Sequence, residues 1–481
     1  MSENLTTARG TWSRGAAAAA LGALALAGCA TPGPRVPTAA ARSPESFETA
    51  KTFSAPVVGW PTLDWWKAYN DPQLDALIEE GLRNSPSLAG AGARLRAAQA
   101  SAAGARAAAG PDAALNLGVE EQKQSYNSGI PAPFVPHGYR DYTRDTLDFS
   151  YAIDFWGKNR AAIAAAASQA RAAGAEAAEA RLMLSTAIAS AYADLARLAA
   201  ERDIAAQALD VRQQTADLAV RRVKSGLDDR GEERQAEAGP PAARARLAAL
   251  DEEISQTRDQ LAALIGAGPD RGLSIALPAQ TAPAAFGLPS DLALDLIGRR
   301  PDIVAARWRA EAASRRVKQA SASFYPNVNI AAFFGTQSLR LANLAQPGSD
   351  IGSVGAALSL PIFDSGRLRA NLNRADAERD EAVDSYNEAL TNALRDVSDV
   401  AASARALAAR LDETRAALTA NEDAYRIATQ RYKGGLSNYQ TVLIAEDAVL
   451  AQRLAVADLE SRRFTLDVAL VRALGGGFSA S

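Results

Sequence analysis

Two periodicities take turns along the chain. Leu115, Leu117 and Val119 alternate with Asn116, Gly118 and Glu120, and Leu147, Phe149, Tyr151, Ile153 and Phe155 alternate with Asp148, Ser150, Ala152 and Asp154. Successive side chains of a strand point to opposite faces, so each run predicts a strand with one apolar and one polar face. Val328, Ile330, Ala332 and Phe334 form a third series, and Val354, Ala356, Leu358 and Leu360 a fourth. Each has about the length of a tilted membrane-crossing strand of roughly ten residues, although a pair of soluble hairpins would alternate in the same way.

Elsewhere the spacing is helical. Pro86 and Pro301 suit first helical turns, and helix-favouring sequence follows each as far as Pro111 and Pro326. From Lys158 to Val223 and from Arg367 to Tyr432 no proline interrupts the chain, which predicts helices on the order of 100 Å at 1.5 Å per residue. Leu390, Ala393, Val397, Val400, Ala404, Leu407, Leu411, Thr414, Leu418, Asn421, Tyr425, Ala428 and Tyr432 keep a 3-4 spacing, as do Leu450, Leu454, Ala457, Ser461, Phe464, Val468 and Val471. Such seams pack against other helices in coiled-coil fashion. At Lys224-Ser225-Gly226 and Lys433-Gly434-Gly435 glycine predicts the end of each long helix, after which a second helix returns. Gly239-Pro240-Pro241 falls early in the first returning helix. Two missing donors and two ring clashes predict a break or kink there, with the helix restarting at Pro240.

The chain also repeats itself. Pro86 and Pro111 recur as Pro301 and Pro326 at an offset of 215, while Gly157-Lys158 recurs as Gly366-Arg367, and "RVKSGL" (Arg222 to Leu227) as "RYKGGL" (Arg431 to Leu436), at an offset of 209. That period is far longer than a solenoid repeat and indicates a duplicated domain of helix, two strands and a long helical hairpin. The expected organisation is a signal segment over 1–28, an N-terminal anchoring segment with a short helix over 29–84, a first repeat over 85–270, an equatorial connector over 271–298, a second repeat over 299–475 and a tail over 476–481.

Composition narrows the setting. Arg9 and Arg14, an apolar run over Ala16 to Ala27 and small residues before Cys29 have the layout of a secretory signal. Leu26-Ala27-Gly28-Cys29 looks like a bacterial lipobox, which implies cleavage before Cys29 and its acylation. Acyl chains hold a protein to lipid by about 0.8 kcal/mol per buried CH₂. Cys29 is the single cysteine of 481 residues, so an intramolecular disulfide is impossible. Ala30 in place of Asp directs the expectation to the outer membrane. A net charge of −3 gives no electrostatic footprint for nucleic acid. Past Cys29 no apolar run is long enough for a transmembrane helix, so strands must do any spanning.

Four strands cannot close a barrel, and an open edge in hydrocarbon leaves backbone groups unpaired at several kcal/mol each. Other copies must complete the wall. Here "WWKAYNDPQLDALIEEGLRNSPSL", "RRPDIVAARWRAEAA…FYPNVNI", "PIFDSGRLRANL" and "RYKGGLSNYQTVL" together resemble the outer-membrane factor family, the TolC-like efflux channels, in its lipoprotein (NodT-type) branch. The resemblance implies an α+β membrane protein: a homotrimer with a twelve-stranded β-barrel, four strands per subunit, and a long coiled α-helical barrel in the periplasm. It implies docking of the tips onto a periplasmic adaptor that joins the duct to an inner-membrane pump, of the resistance-nodulation-division type. Arg222, Gly226, Leu227, Arg431, Tyr432, Gly434, Gly435 and Leu436 are then the candidate adaptor contacts. Many relatives carry an acidic residue just past the second tip, where a carboxylate ring narrows the entrance. In this sequence that position is Ile444, with Thr441 before it and Glu446 and Asp447 after it. The expectation is an apolar or weakly charged constriction without the acidic ring.

No catalytic, metal or cofactor site is expected. The sole histidine, His137, lies in a Pro-rich segment, and neither a nucleophile elbow nor a zinc or phosphate-loop motif is present. A duct for type I protein secretion and a lipid-tethered periplasmic coiled-coil scaffold stay open as alternatives. Trp60, Trp65 and Trp66 are expected to anchor the N-terminal segment rather than bind a ligand.

Overall fold

A computed structural model describes residues 38–49, 51–127, 129–278, 287–289 and 292–480. The expected signal segment and Cys29 lie outside the described residues. In chain order the elements are α1 (Pro72–Asn84), α2 (Pro86–Ala107), β1 (Asp112–Gln122), β2 (Arg140–Ile153), α3 (Lys158–Lys224), α4 (Arg230–Leu264), the short α5 (Pro269–Leu273) and α6 (Leu292–Arg299). The second half continues with α7 (Pro301–Ala322), β3 (Asn327–Ser338), β4 (Asp350–Ser359), α8 (Arg367–Lys433) and α9 (Tyr439–Ala473). α3 and α8 both hold 67 residues, and α4 and α9 both hold 35. The duplication read from isolated landmarks is thus a duplication of whole elements.

The chain forms two compact units. One comprises residues 96–173 and 306–386, with 38–41. Its four strands make one antiparallel sheet in the order β1-β2-β3-β4. Leu115 pairs with Leu147, and Leu147 with Phe334, which puts the apolar members of three strands on one face. Farther along, Ile153, Val328 and Leu358 share that face. The opposite face is polar, with Asn116 Nδ2 and Thr146 Oγ1 donating to Asp148 Oδ2 at 2.8 and 2.7 Å. Phe155 and Leu360, expected to extend the second and fourth strands, lie beyond their ends at Ile153 and Ser359. The reason at β2 is local: the Asp154 carboxylate accepts the backbone N–H groups of Asn159 (3.2 Å) and Arg160 (2.8 Å), capping α3. Asp364 does the same for Gly366 and Leu368 at the start of α8, at 3.1 and 2.9 Å.

The second unit comprises residues 42–95, 174–305 and 387–481. Its core gathers Trp65, Trp66 and Tyr69 against Leu77 and Ile78 of α1, Ile188 and Leu195 of α3, Leu250 and Leu261 of α4, and Phe464 and Val468 of α9. Trp65 and Trp66 are core residues that fix the N-terminal segment, while Trp60 lies under the Arg299 guanidinium at 4.7 Å. α1 begins where Asp71 accepts the N–H groups of Gln73 and Leu74. Along α8 and α9 the expected seams are buried at Leu390, Ala393, Val397, Leu407 and Leu411, and at Ala457, Ser461, Phe464 and Val468.

The expected restart at Pro240 is corrected: α4 runs without interruption from Arg230 to Leu264, with Pro240 and Pro241 inside it. Packing overrides propensity. Ala236, Pro240 and Ala243 form a buried stripe at 3-4 spacing, and Pro240 takes the place that buried Val449 holds in the second repeat. Its ring is one of the apolar groups on the packed face, and the first turn is secured by Asp229, which caps Gly231 and Glu232. Pro241 is exposed and contributes no such burial. Pro241→Ala is therefore expected to restore a helix donor and raise the thermal midpoint, since proline costs about 3 kcal/mol against alanine in a helix interior. A melt followed by circular dichroism checks this, and an unchanged or lower midpoint would count against the packing argument.

Candidate functional site

Both hairpin tips are built by the same backbone device. After α3, the Leu227 N–H donates to the Arg222 carbonyl at 2.9 Å and the Gly226 N–H to that of Val223 at 3.0 Å. After α8, the Leu436 N–H donates to Arg431 at 2.8 Å and the Gly435 N–H to Tyr432 at 3.0 Å. This is the Schellman pattern, and it requires a left-handed residue, supplied by Gly226 (φ 70°) and Gly435 (φ 72°). The leucine that follows usually folds back onto its helix. Here Leu227 and Leu436 stay 66% and 72% exposed, so each tip presents an apolar side chain to its surroundings. Arg431, Gly434 and Gly435 are exposed beside Leu436.

Arg222 and Tyr432 are placed differently. The Arg222 guanidinium grips Asp228 with Nε and Nη2 at 2.8 and 2.9 Å, and stacks over the Tyr432 ring at 4.6 Å. Tyr432 is buried and donates its hydroxyl to Asp228 Oδ2 at 2.7 Å. These three groups tie the first tip to the second, in a cluster with Tyr439 and Val442. Asp228 was not legible as a member of this site. Only the glycine turn brings it back onto Arg222, and its other partner is 204 residues away.

Past the second tip, Asn438 caps α9 through the Thr441 N–H at 3.2 Å, and also accepts from the Thr441 hydroxyl. Ile444 is 63% exposed. Glu446 is 3% exposed and turned inward: its Oε1 accepts from Arg212 Nε of α3 at 2.9 Å, while Arg212 Nη2 reaches Asp447 Oδ1 at 2.9 Å. Burial pushes the Glu446 carboxyl up by more than the Arg212 hydrogen bond pulls it down. Arg453 adds a second tie between hairpins, to Glu422 at 2.7 Å and Gln207 at 3.3 Å. His137 is exposed in the loop between β1 and β2, its ring 5.2 Å from that of Tyr126.

Hydrogen bonds from Arg222, joined by that from Tyr432, hold the Asp228 carboxyl below the usual carboxylate range despite its burial. A carboxylate with a depressed folded-state pKa stabilises above its unfolded pKa, about 3.9, and loses that stabilisation as pH falls through the folded value. The hydrogen-exchange protection factors at the tips, corrected for the intrinsic rate at each pH, are therefore expected to stay high at neutral pH and to fall only in acid, below about pH 4. Asp228→Ala is expected to remove that acid dependence and to cost about 1.5–3 kcal/mol of local stability, the range for hydrogen bonds to charged groups. Equal exchange in the two proteins at neutral pH would count against the latch.

Comparison with known proteins joins these features. A family model described as outer membrane efflux protein matches residues 77–267 and 292–476. The chain is 38% identical over 365 residues to the fusaric acid resistance protein FusA of Burkholderia cepacia, covering 74% of this chain and 68% of that one. It is 33% identical over 455 residues to the multidrug resistance outer membrane protein MdtP of Escherichia coli, covering 91% of each. Among solved structures it is similar to the outer membrane protein VceC of Vibrio cholerae, with a TM-score of 0.83 and 45% identity over 87% of this chain and all of that one. The outer-membrane channel OprN also matches, with a TM-score of 0.83 and 27% identity over 93% of this chain. With an apolar-faced sheet of four strands, two long helical hairpins and no helix able to cross a bilayer among the described residues, the chain belongs to the outer membrane efflux protein family and is a TolC-like efflux channel of the outer membrane.

Proposed function

We propose that three copies of the chain close one barrel of twelve strands, and that this barrel is the passive exit duct of a tripartite efflux system. The observation that carries the reading is the open sheet: among the described residues β1 pairs only with β2, and β4 only with β3, so each has a free edge. In hydrocarbon such edges cost several kcal/mol per unpaired group. Pairing β1 of one copy with β4 of the next removes both. The polar face, with Asp148, Asn116 and Thr146, then lines a wet lumen, and the apolar face meets lipid.

The exposed tip residues Leu227, Leu436 and Arg431, with Gly226, Gly434 and Gly435, supply the surface for a periplasmic adaptor. Arg222 and Tyr432 act behind that surface by holding the two tips together. The adaptor joins the duct to an inner-membrane pump of the resistance-nodulation-division type, which provides the energy; the chain itself catalyses no reaction. Acylated Cys29 adds a lipid tether. Relatives named for fusaric acid resistance and multidrug resistance favour small toxic organic compounds as cargo.

Native mass spectrometry of the detergent-solubilised protein is expected to give three copies; a stable single copy would overturn the closure. Leu227→Glu with Leu436→Glu should leave that assembly intact while abolishing adaptor crosslinking and drug resistance in a host lacking its own duct. Crosslinks found only along the middle of the helices would remove the tips from the contact.

At the entrance Ile444 takes the place of an acidic ring, and Glu446 is engaged by Arg212. Glu446→Ala is accordingly expected to lower stability without altering the response of single-channel currents to trivalent cations. A wild-type block lost in that variant would show instead that Glu446 supplies the ring.

A further inference from the structure

The end of the sheet from which α3 and α8 leave carries an unusual rim. Phe155 and Trp156 follow β2, Tyr325 precedes β3, and Ile362 and Phe363 follow β4. All are exposed, Phe363 at 88%. Beside them lies a cavity of about 330 Å³ within the same unit. Trp156 stacks on Tyr325, ring centroids 4.8 Å apart at 19°, and its indole N–H donates to the Pro326 carbonyl at 3.0 Å, so this wall is held rigid.

The charge in the cavity is lopsided. Lys158 and Arg367, the first residues of α3 and α8, both line it. Lys158 makes no ion pair among the described residues, and Arg367 has only a 3.9 Å contact with Asp364. One acid, Asp154, also lines the cavity, but its oxygens are taken by the backbone of Asn159 and Arg160 and by the Arg160 guanidinium at 3.4 Å. Lys158 is left without a carboxylate partner and Arg367 with only that long contact, and the amides of Asn327 and Asn371 lie beside them.

We propose that this cavity binds the phosphodiester headgroup of an anionic phospholipid in the periplasmic leaflet of the outer membrane. The site rests on the outer-membrane placement of the channel, which sets the helix-bearing end of the sheet at that leaflet. Tryptophan and tyrosine rings belong at headgroup depth, and lysine and arginine beside them attract anionic lipid. The acyl chains have a path: Ile153, which lines the cavity, pairs with Val328, and Val328 with Leu358, forming an apolar row that leads from the cavity onto the lipid face. A free phosphate would use the cations but neither the aromatic rim nor this row.

Native mass spectrometry of the full-length protein, with phosphatidylglycerol or phosphatidylcholine of identical acyl chains, tests the site. Two cations at headgroup depth predict about a 30-fold preference for phosphatidylglycerol, and Lys158→Gln with Arg367→Gln should abolish it. Lys158→Arg with Arg367→Lys should keep it. Should the double variant fail to assemble, Lys158→Gln alone is expected to lose about fivefold. A variant that keeps the wild-type preference overturns the proposal, and so does displacement of phosphatidylglycerol by millimolar inorganic phosphate. Conductance of the reconstituted wild type, measured in parallel, separates this outcome from a failure of the duct reading.

Discussion

A backbone amide in hydrocarbon must find a partner, and the rest of this molecule answers that constraint. Among the described residues of one chain three antiparallel pairings satisfy the interior of the sheet and leave the outer sides of β1 and β4 open. Neither edge is blunted by proline, as an edge meant to face water often is. The apolar series on one face and the Asp148 cluster on the other fit a wall with lipid outside and water inside. Duplication is an economical route to such a wall, because each repeat supplies one hairpin and one pair of long helices.

The two repeats share a backbone but divide the chemistry unequally. Arg222 and Arg431 occupy the same place in their helix-ending turns, yet Arg222 is locked onto Asp228 whereas Arg431 is exposed. The second repeat has Ser437 where the first has Asp228, so it lacks the carboxylate that would hold an arginine. Tyr432 is contributed by the second repeat and spent on the carboxylate of the first. The latch therefore joins the hairpins to each other rather than bracing either one alone. Arg212 with Glu446 repeats that logic farther along α3 and α9.

This inward use of charge also explains what remains on the surface. Glu446 and Asp447, past the second tip, are both engaged by Arg212 of the first hairpin, and the exposed apolar side chains there are Leu436 and Ile444. At the other end of α3 and α8, Asp154 and Asp364 cap the helices, Lys158 makes no ion pair among the described residues, and Arg367 keeps only a 3.9 Å contact with Asp364. At the far ends of these helices exposed Lys224, Arg431 and Lys433 stand beside exposed Leu227 and Leu436.

Much of this was readable from neighbours in the chain. Strand alternation, proline at the starts of α2 and α7, glycine at the tips and the offset of 209 all depend on interactions within a few residues, so periodicity alone placed the elements. Propensity misjudged Pro240, because the packed stripe shared with Ala236 and Ala243 outweighs a missing donor. It also carried the second and fourth strands too far, at Phe155 and Leu360. Tertiary structure decided which charges are spent and which are free. Asp228 meets Tyr432 across 204 residues and Arg212 meets Glu446 across 234, and no local pattern records contacts at that separation. A helix or strand is set by what lies one turn away, whereas the fate of a charge depends on whichever distant group the fold brings within 3 Å of it.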